Sequence, residues 1–374
     1  MSVPTTPGAD GAPTTAPSSQ RAAALDYVAA GREVTDFIRE NYLLPKSGLY
    51  AHSTTERKPD FMWGDGIWCS ALVGAARYDR VRYGPPLSKF FVAMDAHWDH
   101  LATIPGYEPA PTRGNGNDKY YDDNAWMVLT FVEAFEVTHE QRYLKRAEET
   151  LKFVLSGWDD VGGGGIWWHE RHEGDSKNTC SNAPSALACL KVAAHKQGAE
   201  RQALVDQAIR IVEWTRKNFE TKDGLYGDNI NLKTGHVARF QLTYNTALMI
   251  RSFLALHRAT GEAAWLDAAK RSAKASDWFT GEHGAYRDEL KWSHLLVEAD
   301  VELYRFTKEP YLLDRARRNA EYEYHLFQTR RPKELINIAS IARTMWLLAD
   351  TQSSVGQAFW EKVDRRETAP TSKP

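Results

Sequence analysis

The chain has 374 residues, of which 43% are hydrophobic, and its formal net charge is −2. This charge gives no sign of the basic stripe that nucleic-acid binding requires, so we expect no nucleic-acid partner. No run of about 18 apolar residues is present to span a membrane. From the length and the hydrophobic fraction we expect a single large domain with a well-filled core.

The two ends of the chain differ in composition from the rest. Residues 1–21 are rich in Pro, Thr, Ala and Ser and lack the apolar segment of a signal peptide, so we predict a disordered arm. Residues 353–374 are predicted to be a C-terminal tail, disordered from residue 361. The sequence as it stands predicts a cytoplasmic protein, or a secreted or periplasmic one if its N terminus has been trimmed.

A glycine followed closely by an aromatic residue recurs along the chain. The five glycines are separated by 58, 59, 59 and 60 residues; they are Gly48, Gly106, Gly165, Gly224 and Gly284. A period this regular indicates a repeated supersecondary unit, and each unit has room for two helices and a loop.

Apolar periodicity between these markers predicts twelve helices. Their approximate ranges are 22–42, 64–82, 88–103, 123–138, 140–156, 182–197, 200–219, 242–258, 262–279, 292–306, 310–327 and 335–350. Twelve helices form six hairpins, so the predicted fold of residues 22–352 is an all-α (α/α)₆ toroid, or barrel, with the even-numbered helices inside. The N termini of the inner helices then share one rim.

Polar and aromatic residues are concentrated at that rim, and five loops that converge on one face predict a binding cleft. The rim segments are Trp63-Gly64-Asp65, Tyr121 to Trp126, Asn178 to Asn182, Gln241 to Asn245, and Lys291 to His294. The chain has 13 Trp residues, and we expect Trp63, Trp126, Trp167 and Trp168 to lie at this rim.

Asp122 and Asp123 lie between aromatic residues at the start of an inner helix. A glycosidase needs one carboxyl group to protonate the leaving oxygen and a second to attack the anomeric carbon or to activate water. A pair at a helix cap can turn both groups into one cleft. The alternative is structural, with Asp122 as the N-cap and Asp123 as a favourable charge in the first turn.

Other candidate sites are weaker. Cys69, Cys180 and Cys189 are predicted to be reduced and buried. The segment His169 to Glu173 lacks the spacing of H-E-x-x-H and follows a run of glycines, so we predict neither a metal nor a cofactor.

Several motifs together resemble glycoside hydrolase family 76, the α-1,6-mannanases with an (α/α)₆ barrel. They are Asp122-Asp123-x-Ala125-Trp126, Gly163 to Trp168, Lys177-Asn178 with Ser181-Asn182, and Tyr244-Asn245, and the resemblance covers roughly residues 25 to 350. It implies a glycosidase with a retaining mechanism, Asp122 as nucleophile, Asp123 as general acid/base, and an α-mannan-like oligo- or polysaccharide as substrate. The chain departs from the family pattern at Met127, Thr246-Ala247 and residues 289–296, which bears on substrate choice.

The rim and the resemblance together predict the substrate-binding residues. These are Trp63, Asp65, Tyr121, Asn124, Trp126, Trp167, Trp168, Asn178, Asn182, Tyr244, Asn245 and Trp292. The sequence does not determine the exact glycan, endo or exo action, hydrolysis or transglycosylation, or the oligomeric state.

Two alternatives remain open. The first is another sugar enzyme on the same toroid, either an unsaturated-uronide hydrolase or a sugar epimerase. An epimerase needs a pair of bases, for which His236 and His294 are the candidates. The second is a non-catalytic carbohydrate-binding toroid, which would usually have lost a catalytic acid, whereas both Asp residues are present here.

Overall fold

The computed structural model describes residues 24–114, 116–172 and 176–368, so the predicted arm at 1–21 lies outside the described residues. The helices in this part of the chain are α1 Tyr27–Asn41, α2 Met62–Tyr78, α3 Arg80–Ala93, α4 Tyr121–Thr138, α5 Gln141–Ser156, α6 Thr179–Ala193, α7 Gly198–Phe219, α8 Thr243–Thr260, α9 Ala263–Ala275, α10 Leu290–Thr307, α11 Pro310–Thr329, α12 Leu335–Gln352 and α13 Ser354–Glu367. A small antiparallel sheet contains β1 Ser176–Asn178, β2 Asn229–Asn231 and β3 Val237–Ala238.

Six helices form a closed ring. Helices α2, α4, α6, α8, α10 and α12 each pack against the next, and α12 packs against α2. The outer helices α3, α5, α7, α9 and α11 each pack on the inner helix that precedes them, while α1 packs on α12. The predicted (α/α)₆ barrel is confirmed.

The sequences of the helices explain which ones lie inside. All residues of α6 are buried, because an inner helix contacts protein on every side. Outer helix α5 instead buries one stripe, which includes Tyr143, Ala147, Leu151 and Val154 at helical spacing. None of the helices in the described residues is both long and apolar enough to cross a lipid bilayer.

The glycine-aromatic repeats form the same loop structure five times. Each loop makes one antiparallel bridge with the chain just before it: Leu43 with Tyr50, Trp98 with Tyr107, Trp158 with Ile166, Glu220 with Tyr226, and Thr280 with Tyr286. At Gly165 φ is +90°, and a Cβ there would lie 2.7 Å from the Trp214 ring. This position therefore requires glycine both for its backbone conformation and for the close approach of an outer helix.

Two predictions about helix positions need correction. The third helix begins at Arg80, well before the predicted 88, because the Asp79 side chain accepts a hydrogen bond from the Arg82 amide and caps it directly after α2. The predicted tail is wrong for residues 354–367, which form α13. Ser353 caps this helix, and Trp360 and Glu367 are buried against the ring. Residues 369–374 lie outside the described residues.

Ion pairs fill the centre of the ring below the rim. Arg343 on α12 binds Glu133 on α4 at 2.7 Å and Glu298 on α10 at 2.6 Å. Arg251 on α8 binds Glu298 at 3.1 Å and Glu302 at 2.9 Å. These charges share counterions across the ring, so several inner helices are joined by one buried network.

The network extends to the lower end of the barrel. Arg77 on α2 pairs with Glu133 and with Asp350 on α12. Glu367, the last residue of α13, accepts hydrogen bonds from Lys191 on α6 at 2.6 Å and from Arg258 on α8 at 2.7 Å. Helix α13 therefore supplies a carboxylate that neutralises two buried cations, which accounts for its position.

We predict that Glu133→Gln lowers the free energy of unfolding by about 3 kcal/mol at pH 7, since the buried cations lose a counterion. Burial raises the pKa of Glu133, but Arg343 and Arg77 outweigh it and lower the pKa from 4.5 to about 2. A lowered pKa means that the stabilisation is present above pH 4.5 and is lost as the pH falls towards 2. Urea denaturation of the wild type and Glu133→Gln should therefore show that the difference between their free energies of unfolding becomes smaller as the pH falls through this range.

The matched control is Glu56→Gln, which removes a carboxylate from the exposed pair with Lys58. It should leave the urea midpoint unchanged. Equal stability of wild type and Glu133→Gln at pH 7 would contradict a stabilising role for the network.

Candidate active site

Asp122 and Asp123 occupy the second and third positions of α4. The N-cap is Tyr120, whose backbone is extended and whose side chain makes no capping bond. Asp122 is therefore not the N-cap, and the structural alternative is wrong on this point. Both side chains are half-buried at the mouth of the ring.

Three donors surround the carboxylate of Asp122. The Trp168 indole donates to Oδ2 at 3.2 Å, and the Cys180 thiol donates to the same oxygen at 3.4 Å. The backbone amide of Asp123 donates to Oδ1 at 3.0 Å. Burial raises the pKa of Asp122 to about 6, while these donors oppose a larger increase. At neutral pH the group is ionised.

Asp123 has a different environment. Among the described residues, we find no hydrogen bond to its carboxyl group. Burial, and then the negative charge of Asp122, raise the pKa of Asp123 well above its ordinary value of 3.8. The neighbouring acids thus differ in environment: three donors oppose the rise in the pKa of Asp122, whereas no donor among the described residues opposes the rise in the pKa of Asp123.

The second residues of four inner helices meet around this pair. Trp63 on α2 and Tyr244 on α8 have ring centroids 6.5 Å apart, Tyr244 interacts with the Cys180 thiol on α6, and Cys180 contacts Asp122 on α4. Trp292 lies 6.3 Å from Tyr244 with nearly parallel rings, and 6.5 Å from Trp63. The structure therefore brings the predicted residues Trp63, Tyr244 and Trp292 together as an aromatic cluster beside the acids.

The fourth residues of the inner helices point away from the cleft. Asn124 accepts a hydrogen bond from the Tyr107 amide at 2.7 Å and donates to two backbone carbonyls. Asn182 likewise accepts a hydrogen bond from the Ile166 amide and donates to the carbonyls of Ile166 and Asn178. Both side chains are fully buried, so we correct their predicted role from sugar binding to holding the glycine-aromatic loops.

Asp65 is the fourth residue of α2 and is also fully buried, with its carboxylate 3.2 Å from His97. Burial raises its pKa. It does not line the cleft, contrary to prediction. The reason is helical geometry, because successive residues rotate by roughly 100° and only the second and third positions face the opening.

Two predicted aromatic residues have structural contacts instead. Tyr121 is buried and its ring stacks on Phe153 with the centroids 4.9 Å apart. Trp167 is buried, donates from its indole to Asp159 at 2.8 Å, and lies 4.8 Å from the Lys177 ammonium. Their predicted sugar contacts are replaced by packing that fixes the neighbouring residues Asp122 and Trp168.

The remaining predicted residues lie at or below the cleft. Trp168 is 38% exposed above Asp122. Trp126, one turn after Asp122, lines a cavity of about 40 Å³ that continues to Glu133 and Arg343, enough for one or more water molecules. Asn178 is the N-cap of α6.

Sequence reasoning missed Asp228 and Cys180. Asn245 donates to Asp228 at 3.2 Å, and the negative charge of Asp228 acts on the Cys180 thiol. Asp228 lies just before β2, outside the recognised motifs. Cys180 could have been found from its place in the repeat, because it is the second residue of an inner helix, as Asp122 is.

The two candidate bases of an epimerase are not paired. His294 is buried inside the ring, where burial lowers its pKa to about 4, and it lines the cavity below Trp126. His236 is exposed in the turn before β3. Two histidines in such different places cannot face one sugar carbon, so His236 and His294 cannot serve as the pair of bases that a sugar epimerase needs.

Comparison with known proteins adds independent findings. The sequence model of glycosyl hydrolase family 76 matches residues 28–293. A mannan endo-1,6-alpha-mannosidase, DCW1 of Candida glabrata, is 26% identical over 175 residues, which cover 42% of this chain. The chain matches only 38% of the length of that relative.

Two solved structures share the fold. The GH76 alpha-mannanase of Bacteroides thetaiotaomicron has a TM-score of 0.80 at 24% identity, covering 91% of this chain and 97% of its own. An inactive variant of the alpha-1,6-mannanase GH76A of Salegentibacter sp. HEL1_6, with two adjacent aspartates changed to asparagine, was solved with alpha-1,6-mannotriose. It has a TM-score of 0.75 at 21% identity and covers 87% of this chain and 99% of its own.

We predict that Asp123→Asn stabilises the folded protein, increasingly so as the pH rises above about 4. The raised pKa means that the unfolded chain ionises Asp123 before the folded chain does, so rising pH favours unfolding of the wild type. Asparagine has no such ionisation. Thermal melting at several pH values measures the effect.

The control is Asp267→Asn, at an exposed position on α9. Its melting temperature should follow that of the wild type at every pH. A difference in melting temperature between Asp123→Asn and wild type that stays constant across these pH values would show that Asp123 is ionised in the folded state.

Proposed function

The chain belongs to glycosyl hydrolase family 76, and on that premise we propose that it hydrolyses α-mannosidic bonds of an α-1,6-linked mannan with retention of anomeric configuration. The observation that carries the proposal is the unlike environment of two adjacent acids. Asp122 is held by three donors that favour its ionised form, whereas Asp123 has no hydrogen-bond donor among the described residues and a pKa raised well above its ordinary value. Retaining glycosidases need one group of each kind.

In the first step, Asp122 attacks the anomeric carbon and Asp123 gives its proton to the departing glycosidic oxygen. A covalent mannosyl-enzyme results. Loss of that proton leaves Asp123 as a base, which then removes a proton from water as the water attacks the same carbon and displaces the Asp122 carboxylate. The raised pKa of Asp123 favours the first proton transfer, because this group keeps its proton to a higher pH than an ordinary carboxyl group does.

Aromatic rings and polar groups around the acids suit a neutral sugar chain. Trp63, Tyr244 and Trp292 offer faces for pyranose rings, and Trp168 extends over Asp122. Asp228, which the fully buried Asn245 holds by a hydrogen bond, provides carboxylate oxygens for hydroxyl groups. The relatives named above, one of them solved with alpha-1,6-mannotriose, support the choice of mannan as substrate.

A non-catalytic toroid would have no use for this arrangement. Two half-buried acids, both with raised pKa values, make the folded state less stable than neutral side chains would. Clusters of strongly perturbed acids in a cleft are typical of catalytic sites. The electrostatics therefore favour an enzyme.

We predict that the protein releases mannose or manno-oligosaccharides from linear α-1,6-mannan, and that the first product is the α-anomer. Retention follows from two successive inversions at the anomeric carbon. Proton NMR during the first minutes of hydrolysis distinguishes the anomers before mutarotation, and β-1,4-mannan serves as the substrate control. Initial β-anomer would rule out Asp122 as nucleophile, and no cleavage would refute the choice of substrate.

The roles of the two acids can be separated with a substrate whose leaving group needs no protonation. On a dinitrophenyl α-mannoside, we expect Asp123→Ala to form the mannosyl-enzyme readily and then to stall, because water lacks its base. Azide, which needs no base, should restore turnover and yield α-mannosyl azide. Asp122→Ala should lower the rate by several orders of magnitude on the same substrate, without recovery of the α-product.

The reverse result, with Asp122→Ala rescued to an α-product and Asp123→Ala inert, would exchange the two roles. Circular dichroism of both variants checks that the helical fold is retained.

A further inference from the structure

Cys180 places a thiol directly against the proposed nucleophile. Its side chain is only 3% exposed, and Sγ lies 3.4 Å from Oδ2 of Asp122. The Trp168 indole reaches the same oxygen at 3.2 Å from the loop that follows the glycine run. Oδ2 therefore has two donors from different elements, α6 and the Trp168 segment, while Oδ1 has the Asp123 amide.

The thiol acts as a donor in this contact because it is protonated. Burial raises the pKa of Cys180 well above 9, and the charges of Asp122 and Asp228 raise it further. Tyr244 on α8 also interacts with the thiol and opposes part of this increase, while Asp123 on α4 acts on Asp122. Since an ionised carboxylate has no proton to give, the hydrogen bond runs from sulfur to Asp122.

Other features of the fold support a specific role. Cys180 is the second residue of α6, the position that carries Asp122 on α4, Trp63 on α2 and Tyr244 on α8, all of which lie at the cleft. Cys189 lies on the same helix but is fully buried in the hydrophobic core. The helix thus has one thiol at the acids and one in ordinary packing.

We infer that Cys180 is a positioning residue of the reaction, whose thiol donates to Asp122 and holds this carboxylate in the orientation required for attack. The inference rests on the proposed function. A thiol is a weak donor, so it orients the carboxylate while withdrawing less negative charge from it than a hydroxyl or an ammonium group would. This matters for a nucleophile, whose reactivity depends on that charge.

The pH dependence of kcat/KM on α-1,6-mannan tests the inference. Wild type should lose activity as the pH falls through the pKa of Asp122. For Cys180→Ala we expect this acidic limb to move upward by about one pH unit, and kcat/KM at the optimum to fall about tenfold, because one donor to a charged group is lost. Cys180→Ser keeps a donor, so its acidic limb should stay at or below that of wild type.

Cys189→Ala is the matched control, since it removes a buried thiol from the same helix away from the acids. It can lower the melting temperature but should leave the acidic limb in place. The inference is overturned if Cys180→Ala has the wild-type limb, or if Cys180→Ser shifts upward as far as Cys180→Ala does.

A second measurement does not depend on the substrate. The rate at which methyl methanethiosulfonate modifies Cys180, followed by mass spectrometry, reports the fraction of thiolate. In Asp122→Asn we expect this rate to rise about tenfold at a given pH, because the adjacent negative charge is gone. Asp267→Asn should react like wild type.

The two measurements separate the possible failures. If wild type does not cleave α-1,6-mannan, the proposed function fails, and the thiol reaction alone then decides whether Cys180 is held by Asp122. Equal modification rates in wild type and Asp122→Asn would overturn the contact itself.

Discussion

The ion pairs at the centre of the ring set the orientation of the inner helices, and the cleft depends on that orientation. In α4, Asp122 and Glu133 are eleven residues apart, which is about three helical turns, so both lie on the same stripe. The same spacing relates Cys180 and Lys191 in α6, and seven residues, about two turns, relate Tyr244 and Arg251 in α8. A rotation of any of these helices that separated its charge from the network would also move its residue at the cleft.

The cleft uses this fixed orientation to give adjacent acids different surroundings. The second position of α4 faces α6 and the Trp168 segment, both of which supply donors, whereas the third position meets mainly the charge of its neighbour. The fourth position turns behind the rim, where Asn124 secures the loop that carries Tyr107. One helical turn thus contributes a carboxylate held by donors, an acid with a strongly raised pKa and a structural anchor.

The sequence predicts most of this architecture because its signals are local. The regular glycine-aromatic spacing and the apolar periodicity identify the hairpins, and the paired acids identify the turn that we propose to be catalytic. The errors have a common cause, since Asp65, Asn124 and Asn182 are polar residues at the rim whose direction depends on exact helix starts, and boundaries are the least certain part of a sequence-based prediction. Residues 354–367 are polar enough to look like a tail, and their helix is stabilised by distant buried cations on α6 and α8. Asp228 approaches Cys180 and Asn245 only through tertiary folding.

The position of α12 between α10 and α2 affects the order in which the protein can fold. During synthesis the chain leaves the ribosome from its N terminus, so one side of α2 has no partner until residue 352 has been made. The carboxylate of Glu367 comes later still, and until then Lys191 and Arg258 lack a counterion that they have in the finished ring. Closure joins segments separated by almost the entire domain, so it is among the contacts of greatest sequence separation in the fold. An unfinished chain therefore exposes the apolar surface of α2 that α12 later covers.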